Sequence, residues 1–233
     1  MCERKYRHEL KHYINHADYL AIRRRLREIA PLDRFSGPDG SYTVHSLYFD
    51  NLDNKALREK LDGVNNREKF RLRYYNGDLS FLRLEKKSKR NGLGCKAQAA
   101  VTREECERLL AGDVSWMEGD GRALVTELLL KMRCQLLRPL TPVVYTREAY
   151  VYPAGNVRVT VDSGIRTGFS AAGFLDPGAV TVRTGSPILL EVKFDEFLPD
   201  LIGDLVASRP PFPNTPPAAP SAANSERTVR YPT

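Results

Sequence analysis

At 233 residues, 42% of them hydrophobic, the chain has material for one large domain or two small ones with a substantial core. It contains no apolar run of about 18 residues, which excludes a membrane-spanning helix, and its charged first residues, 1–7, lack the apolar stretch of a secretory signal. A formal net charge of +7 and a pI near 9.3 favour anionic partners such as nucleic acid, anionic membrane or phosphorylated small molecules, without choosing among them.

The predicted elements follow in chain order. Residues 6–14 read as a strand. Residues 17–29 form a basic helix, with Tyr19, Ile22, Leu26 and Ile29 at helical spacing and Asn15 or Asp18 as its cap. A turn-rich loop at 31–40 leads to a strand at 43–49. A short helix at 54–62 is closed by Gly63. Strands at 68–75 and 79–89 form a hairpin about Asn76, Gly77 and Asp78, a strong turn signal.

Residues 96–101 read as a further strand. The helix at 102–110 opens on a capping box of Thr102 and Glu105. A second helix, 121–137, ends near Pro139. Strands at 143–151, 157–162 and 188–194 precede a last helix at 198–207. From residue 209 onward proline crowds together with Ala, Ser and Asn. The expected organisation is therefore one domain over 1–208 and a largely disordered tail over 209–233. About eight strands with interspersed helices make an α+β fold with a mainly antiparallel sheet.

Charge placement carries the functional argument. Residues i and i+2 of a strand share a face. Arg7, Glu9 and Lys11 share one; so do Lys69, Arg71 and Arg73, with Phe70, Leu72 and Tyr74 opposite. Arg83, Glu85, Lys87 and Lys89 lie opposite Leu82 and Leu84. Arg158, Thr160 and Asp162 alternate with Val157, Val159 and Val161. Glu191, Lys193 and Asp195 alternate with Leu190, Val192 and Phe194.

One such strand would be an ordinary amphipathic strand with its charge in solvent. Five strands whose polar face is almost wholly Arg, Lys and Glu point instead to a closed antiparallel β-barrel with a charged lumen. Like charges crowded across a lumen repel and are costly to desolvate. A polyanion would neutralise the Arg and Lys groups, and a cation would bridge the carboxylates to it. Arginine suits phosphate through its bidentate fork, and carboxylates with phosphate oxygens suit Mg²⁺ or Mn²⁺. The helices would pack on the apolar outside.

The segments RHELK (7–11), SLYFD (46–50), FRLRYY (70–75), LEKK (84–87), YTR (145–147), VRVTVD (157–162) and LEVK (190–193) occur in an order that resembles the VTC domain. That domain is the polyphosphate polymerase branch of the triphosphate tunnel metalloenzymes. The resemblance covers about residues 4–207. It implies an eight-stranded tunnel that binds ATP and a growing polyphosphate. It also implies Lys11, Arg71, Arg73, Lys87, Arg147 and Arg158 as the catalytic phosphate-binding groups and Glu191 as metal ligand. Glu9, Glu85 and Asp162 are further candidates for Mn²⁺ or Mg²⁺ or for steering water. Arg7, Lys69, Arg83, Lys89 and Lys193 supply additional substrate contacts. The family's closing Ser-Lys-Tyr-like segment has only TVRY (228–231) as its counterpart, with Arg230 where a lysine is expected.

The reaction so implied is phosphoryl transfer from ATP to a phosphate-chain end. A triphosphatase, with water as acceptor, and a non-catalytic polyphosphate or inositol phosphate sensor are the alternatives. Nucleic acid is not an expected partner. The Arg23-Arg24-Arg25 run reads as a solvated helix face, and Tyr74 and Tyr75 alternate faces rather than forming a stacking platform. Cys2, Cys95, Cys106 and Cys134 show no zinc spacing, and His8 and His12 on a strand stand about 13 Å apart. Reduced thiols and a cytoplasmic location are expected, with a membrane partner possible.

Overall fold

The computed structural model describes residues 7–90 and 93–206. Nine strands occur there: β1 (His8–Ile14), β2 (Ser41–Asp50), β3 (Arg67–Tyr75), β4 (Asp78–Arg90), β5 (Leu93–Ala100), β6 (Arg138–Tyr152), β7 (Val157–Gly168), β8 (Thr181–Arg183) and β9 (Ile188–Phe194). The helices are α1 (His16–Ile29), α2 (Lys55–Leu61), α3 (Arg103–Leu110), α4 (Ala123–Gln135) and α5 (Asp200–Val206). Eight strands run in the spatial order β1-β9-β7-β6-β2-β3-β4-β5, every neighbouring pair antiparallel. The sheet curls until its two ends approach, and an antiparallel bridge between Arg7 and Gly94 joins them.

Local chemistry explains the element boundaries. Asn76 and Gly77 both have positive φ, 51° and 73°, which makes the two-residue turn that brings Tyr75 opposite Asp78. Asn15 caps α1 by accepting from the Asp18 amide at 2.8 Å. Thr102 and Glu105 close the expected capping box on α3. Helix α2 starts at Lys55, one residue after the expected 54. Asn54 is left-handed and its side chain caps nothing; Asn51 accepts from the Lys55 amide at 3.0 Å, and Asp50 from the Ala56 and Leu57 amides at 2.9 and 3.2 Å.

Two further boundaries moved. Strand β6 begins at Arg138 and passes through Pro139 and Pro142, because α4 already stops at Gln135 with Leu136 in the left-handed region. Strand β7 runs past the expected end at 162 to Gly168, where its extension pairs with the short β8.

The apolar strand faces point outward, onto the helices. Leu47, Phe49, Phe70, Leu72, Leu82 and Leu84 pack against Cys106 and Leu109 of α3 and Val125, Leu128 and Leu129 of α4. On the other side of the barrel Tyr150, Val157, Val159, Val161, Leu190 and Val192 pack against Ile22 and Leu26 of α1 and Ile202 and Leu205 of α5. Each such side chain contributes about 1.5–3 kcal/mol when fully buried. Helix α1 is also pinned by charge. Buried Glu148 of β6 accepts from Arg23 Nε at 2.9 Å, from the Tyr150 hydroxyl at 2.8 Å and from the Tyr19 hydroxyl. Arg23 therefore leaves the solvated arginine face, on which Arg24 and Arg25 are exposed.

Candidate functional site: a charged tunnel

With the apolar faces turned outward, the alternate residues of the same strands line the lumen. They form three linked groups. In the first, Lys11 of β1 stands 2.7 Å from Glu9 and 2.9 Å from Glu191 of β9. Glu9 also accepts from Lys87 of β4 at 2.8 Å, an ion pair across the seam of the barrel, and Lys193 pairs with Glu191. Burial alone would raise the Glu191 carboxyl, but Lys11 and Lys193 outweigh it and hold Glu191 far below the usual carboxylate range. Burial also opposes the lowering of Glu9, which Lys11 and Lys87 impose against the charge of Glu191. Lys11 is held above its ordinary value against burial by the two carboxylates.

The second group centres on Glu85 of β4, only 2% exposed. Arg71 donates to it through Nε at 2.7 Å, Lys96 of β5 pairs with its other oxygen, and Arg73 approaches to 4.0 Å. Burial would raise Glu85, yet Arg71, Arg73 and Lys96 bring it down to about 2. Arg73 continues the chain of contacts, donating to Ser46 Oγ at 3.0 Å and to the Tyr145 hydroxyl at 2.9 Å.

In the third group Arg147 of β6 donates to both oxygens of Asp162 and, at 3.2 Å, to the Tyr145 hydroxyl. Arg158 of β7 donates to Asp33 and, at 3.2 Å, to the Tyr42 hydroxyl. Asp33 is positioned for this by the 31–40 loop, which is stitched to β6 through the Leu32–Tyr150 bridge and the Asp33 amide on Ala149 O at 2.8 Å.

Beyond Arg71 along β3, Lys69 lies 5.4 Å from the centre of the Tyr48 ring, and Tyr48 accepts from Arg71 at 3.3 Å. Burial, with Arg71, Lys11 and Lys87, pushes the Lys69 ammonium down to about 8 against the pull of Tyr48. Burial would raise the Tyr48 phenol, but Arg71, Lys69 and Arg73 bring it down to about 7. Among the described residues no carboxylate pairs with Lys69, so this stretch of the lumen carries an uncompensated cation.

The lumen thus brings together Lys11, Lys69, Arg71, Arg73, Lys87, Arg147, Arg158 and Lys193 with Glu9, Glu85, Asp162 and Glu191. Arg7 and Arg83 sit at its rims: Arg7 is 2.8 Å from Asp195, and Arg83 stacks on Phe81 at 4.2 Å. Lys89 is exposed at the end of β4. Arg230 and the 209–233 tail lie outside the described residues. The four candidate metal-binding carboxylates do not gather. Glu9 and Glu191 share Lys11, whereas Glu85 and Asp162 are taken up by arginines.

Sequence reasoning passed over Tyr42, Ser46, Tyr48, Tyr145, Asp33 and Lys96. Tyr42, Ser46 and Tyr48 alternate along β2, but that face carries no charge and gives no signal of a charged lumen. Tyr145 stood inside the quoted YTR segment. Asp33 comes from a loop and left no periodic signal.

The VTC domain family matches residues 6–214, a span that includes every described residue. The chain belongs to the VTC domain family. Among solved structures, this VTC domain is similar to a candidate adenylate cyclase from Bacillus halodurans (TM-score 0.53, 11% identity, 91% of this chain and 96% of that one). Another similar structure is the PH1819 protein from Pyrococcus horikoshii OT3 (TM-score 0.41, 17% identity, 87% and 85% covered). The first supports a shared fold, and at such identity it speaks for the fold alone. No curated protein matches the chain. None of the helices among the described residues is long and apolar enough to cross a membrane.

Proposed function

We propose that this VTC domain binds the triphosphate of ATP in its lumen and transfers the terminal phosphoryl group to a phosphate-chain end, forming inorganic polyphosphate. The observation that carries this reading is the row of Arg71, Arg73, Arg147 and Arg158, held on one lumen by carboxylates and tyrosine hydroxyls. Each guanidinium keeps its fork pre-oriented while free donors remain for phosphate oxygens. Phosphoryl transfer asks for positioning and charge neutralisation more than for covalent chemistry, and the tunnel supplies both.

Glu85 and Asp162 serve as anchors for Arg71 and Arg147. Lys11, Lys87 and Lys193 orient Glu9 and Glu191 while neutralising phosphate charge. Lys69 adds a cation at one end of the row, and the rim residues Arg7, Arg83 and Lys89, with Arg230 of the tail, attract the polyanion from outside. A divalent cation, Mg²⁺ or Mn²⁺, fits the paired carboxylates of Glu9 and Glu191. Among the described residues no three His, Cys, Asp or Glu side chains group together, so phosphate and water oxygens would complete its coordination. When bound it would supply charge neutralisation between neighbouring phosphates.

Incubating the purified full chain with ATP and Mn²⁺ or Mg²⁺ tests the reading. The expected product is a ladder of polyphosphate on a stained gel, lost in Glu191→Ala and Arg71→Ala variants that remain folded. Free phosphate without polymer would make the protein a triphosphatase. Binding of polyphosphate without turnover would make it a sensor.

A further inference from the structure

The two ends of the tunnel differ in chemistry. Along β3 the lumen face reads Tyr75, Arg73, Arg71, Lys69 and Arg67; along β4 it reads Phe81, Arg83, Glu85, Lys87 and Lys89. One end is cationic and the other aromatic. The aromatic end opens into a cavity of about 520 Å³ lined by Phe35, Tyr42, Tyr75, Phe81, Arg83 and Arg158. That lies within the roughly 300–1,000 Å³ of small-molecule sites.

Its rings are not ordinary core. Phe35 is 65% and Phe81 46% exposed, although each has a guanidinium against it: Arg34 at 4.7 Å and Arg83 at 4.2 Å. Tyr42 and Tyr75 meet edge-on at 5.8 Å behind them, joined to the buried Val44, Tyr145 and Ala149. Glu85, its partner Lys96 and Arg158 also line the cavity, so it is continuous with the row of lumen arginines.

A phosphate chain gains nothing from two exposed phenyl rings. A planar heterocycle attached to a triphosphate gains stacking on the two exposed rings, and the exposed Gln98 amide at the rim offers both a donor and an acceptor to its edge. We infer that this aromatic mouth is a nucleoside site, in which Phe35 and Phe81 stack the base of a nucleoside triphosphate whose phosphates enter the tunnel past Arg158. The inference rests on the proposed ATP-binding function and adds to it the direction in which the nucleotide lies: nucleoside at the Tyr75–Phe81 end, terminal phosphate toward Lys69 and Lys87.

Calorimetric titration of the full chain with ATP and, separately, with inorganic tripolyphosphate tests it, comparing the wild type with a Phe35→Ala, Phe81→Ala double variant and with Phe81→Trp. The double variant should bind ATP about tenfold more weakly or worse, the scale of one lost stacking interaction, and tripolyphosphate as the wild type does. Phe81→Trp should retain ATP affinity. Unchanged ATP affinity in the double variant overturns the nucleoside site while leaving the phosphate-binding tunnel standing. Equal loss for both ligands also overturns it, since the rings would then serve the tunnel's shape. A wild type that binds neither ligand overturns the proposed function and this inference together.

Discussion

Arg147 holds Asp162 with both arms of its fork, Nε to Oδ1 at 2.6 Å and a terminal nitrogen to Oδ2 at 2.7 Å, and both side chains are nearly buried. Among the described residues, Asp162→Ala leaves the Arg147 guanidinium the Tyr145 hydroxyl as its hydrogen-bond partner. Breaking one side of a buried pair costs about 3–5 kcal/mol. The variant should therefore melt well below the wild type, and tripolyphosphate should raise its melting temperature more than it raises that of the wild type, because the anion takes over the vacated charge. Equal melting temperatures would show that the pair contributes no stability.

Tyr48 and Lys69 should make anion binding pH-dependent. In the free protein the Tyr48 phenol is brought down to about 7 by Arg71, Lys69 and Arg73 against burial, and the Lys69 ammonium is pushed down to about 8 by burial first and by neighbouring cations next. A bound polyanion favours the protonated form of each and moves both back toward their ordinary values of 10.0 and 10.5. Tripolyphosphate binding should thus take up protons above pH 7, and none at these groups well below it. Calorimetry in two buffers of different ionisation enthalpy measures the uptake. Tyr48→Phe should remove its lower limb and Lys69→Met its upper limb; uptake unaltered in both variants would reject the assignment.

Glu85 sets an acid limit on stability. Its folded value of about 2 lies below the ordinary 4.5, so between these values the unfolded chain takes up a proton that the folded one does not. The stabilisation is complete above pH 4.5 and is lost as pH falls toward 2. Glu85→Gln should be less stable than the wild type at neutral pH by a few kcal/mol, with the gap closing across that window. Urea melts across the acid range would detect it; a gap independent of pH would contradict the ion-pair origin.

Gly155, in the turn between β6 and β7, has φ of +70°, and a Cβ there would run into the Phe197 carbonyl oxygen. Gly155→Ala should cost at least the roughly 1–3 kcal/mol of a strained left-handed residue, read as a lower urea midpoint. Gly77→Ala is the comparison: its φ of +73° carries the same backbone strain with nothing within 4 Å to strike, so it should cost less.

Strands with strict alternation were fully legible. Lys69, Arg71 and Arg73 against Phe70, Leu72 and Tyr74 fixed both the lumen face and the helix-packing face of β3, because a period of two admits no third orientation. The extra strand β8 and the extension of β7 were not legible: Gly164, Gly168 and the short 181–183 segment carry no alternation to read. Within the site, charge on strands could be read and its partners could not. That Glu85 serves three cations while Glu9 and Glu191 share Lys11 depends on sheet order and register, which bring β5 beside β4 and β1 beside β9. Asp33 reaches Arg158 across 125 residues of sequence from an irregular loop, and no local pattern encodes such a meeting.

The two large apolar cores lie on opposite outer flanks of the barrel wall, and the charged side chains lie within it. Cohesion and chemistry are therefore written on alternate letters of the same strands. A change at Lys87 or Arg83 alters the charge of the lumen while its neighbours Lys86 and Leu84 go on holding α4 to the wall. A lineage with this architecture can rewrite the charge its lumen presents one even or odd position at a time, and keep its shape throughout.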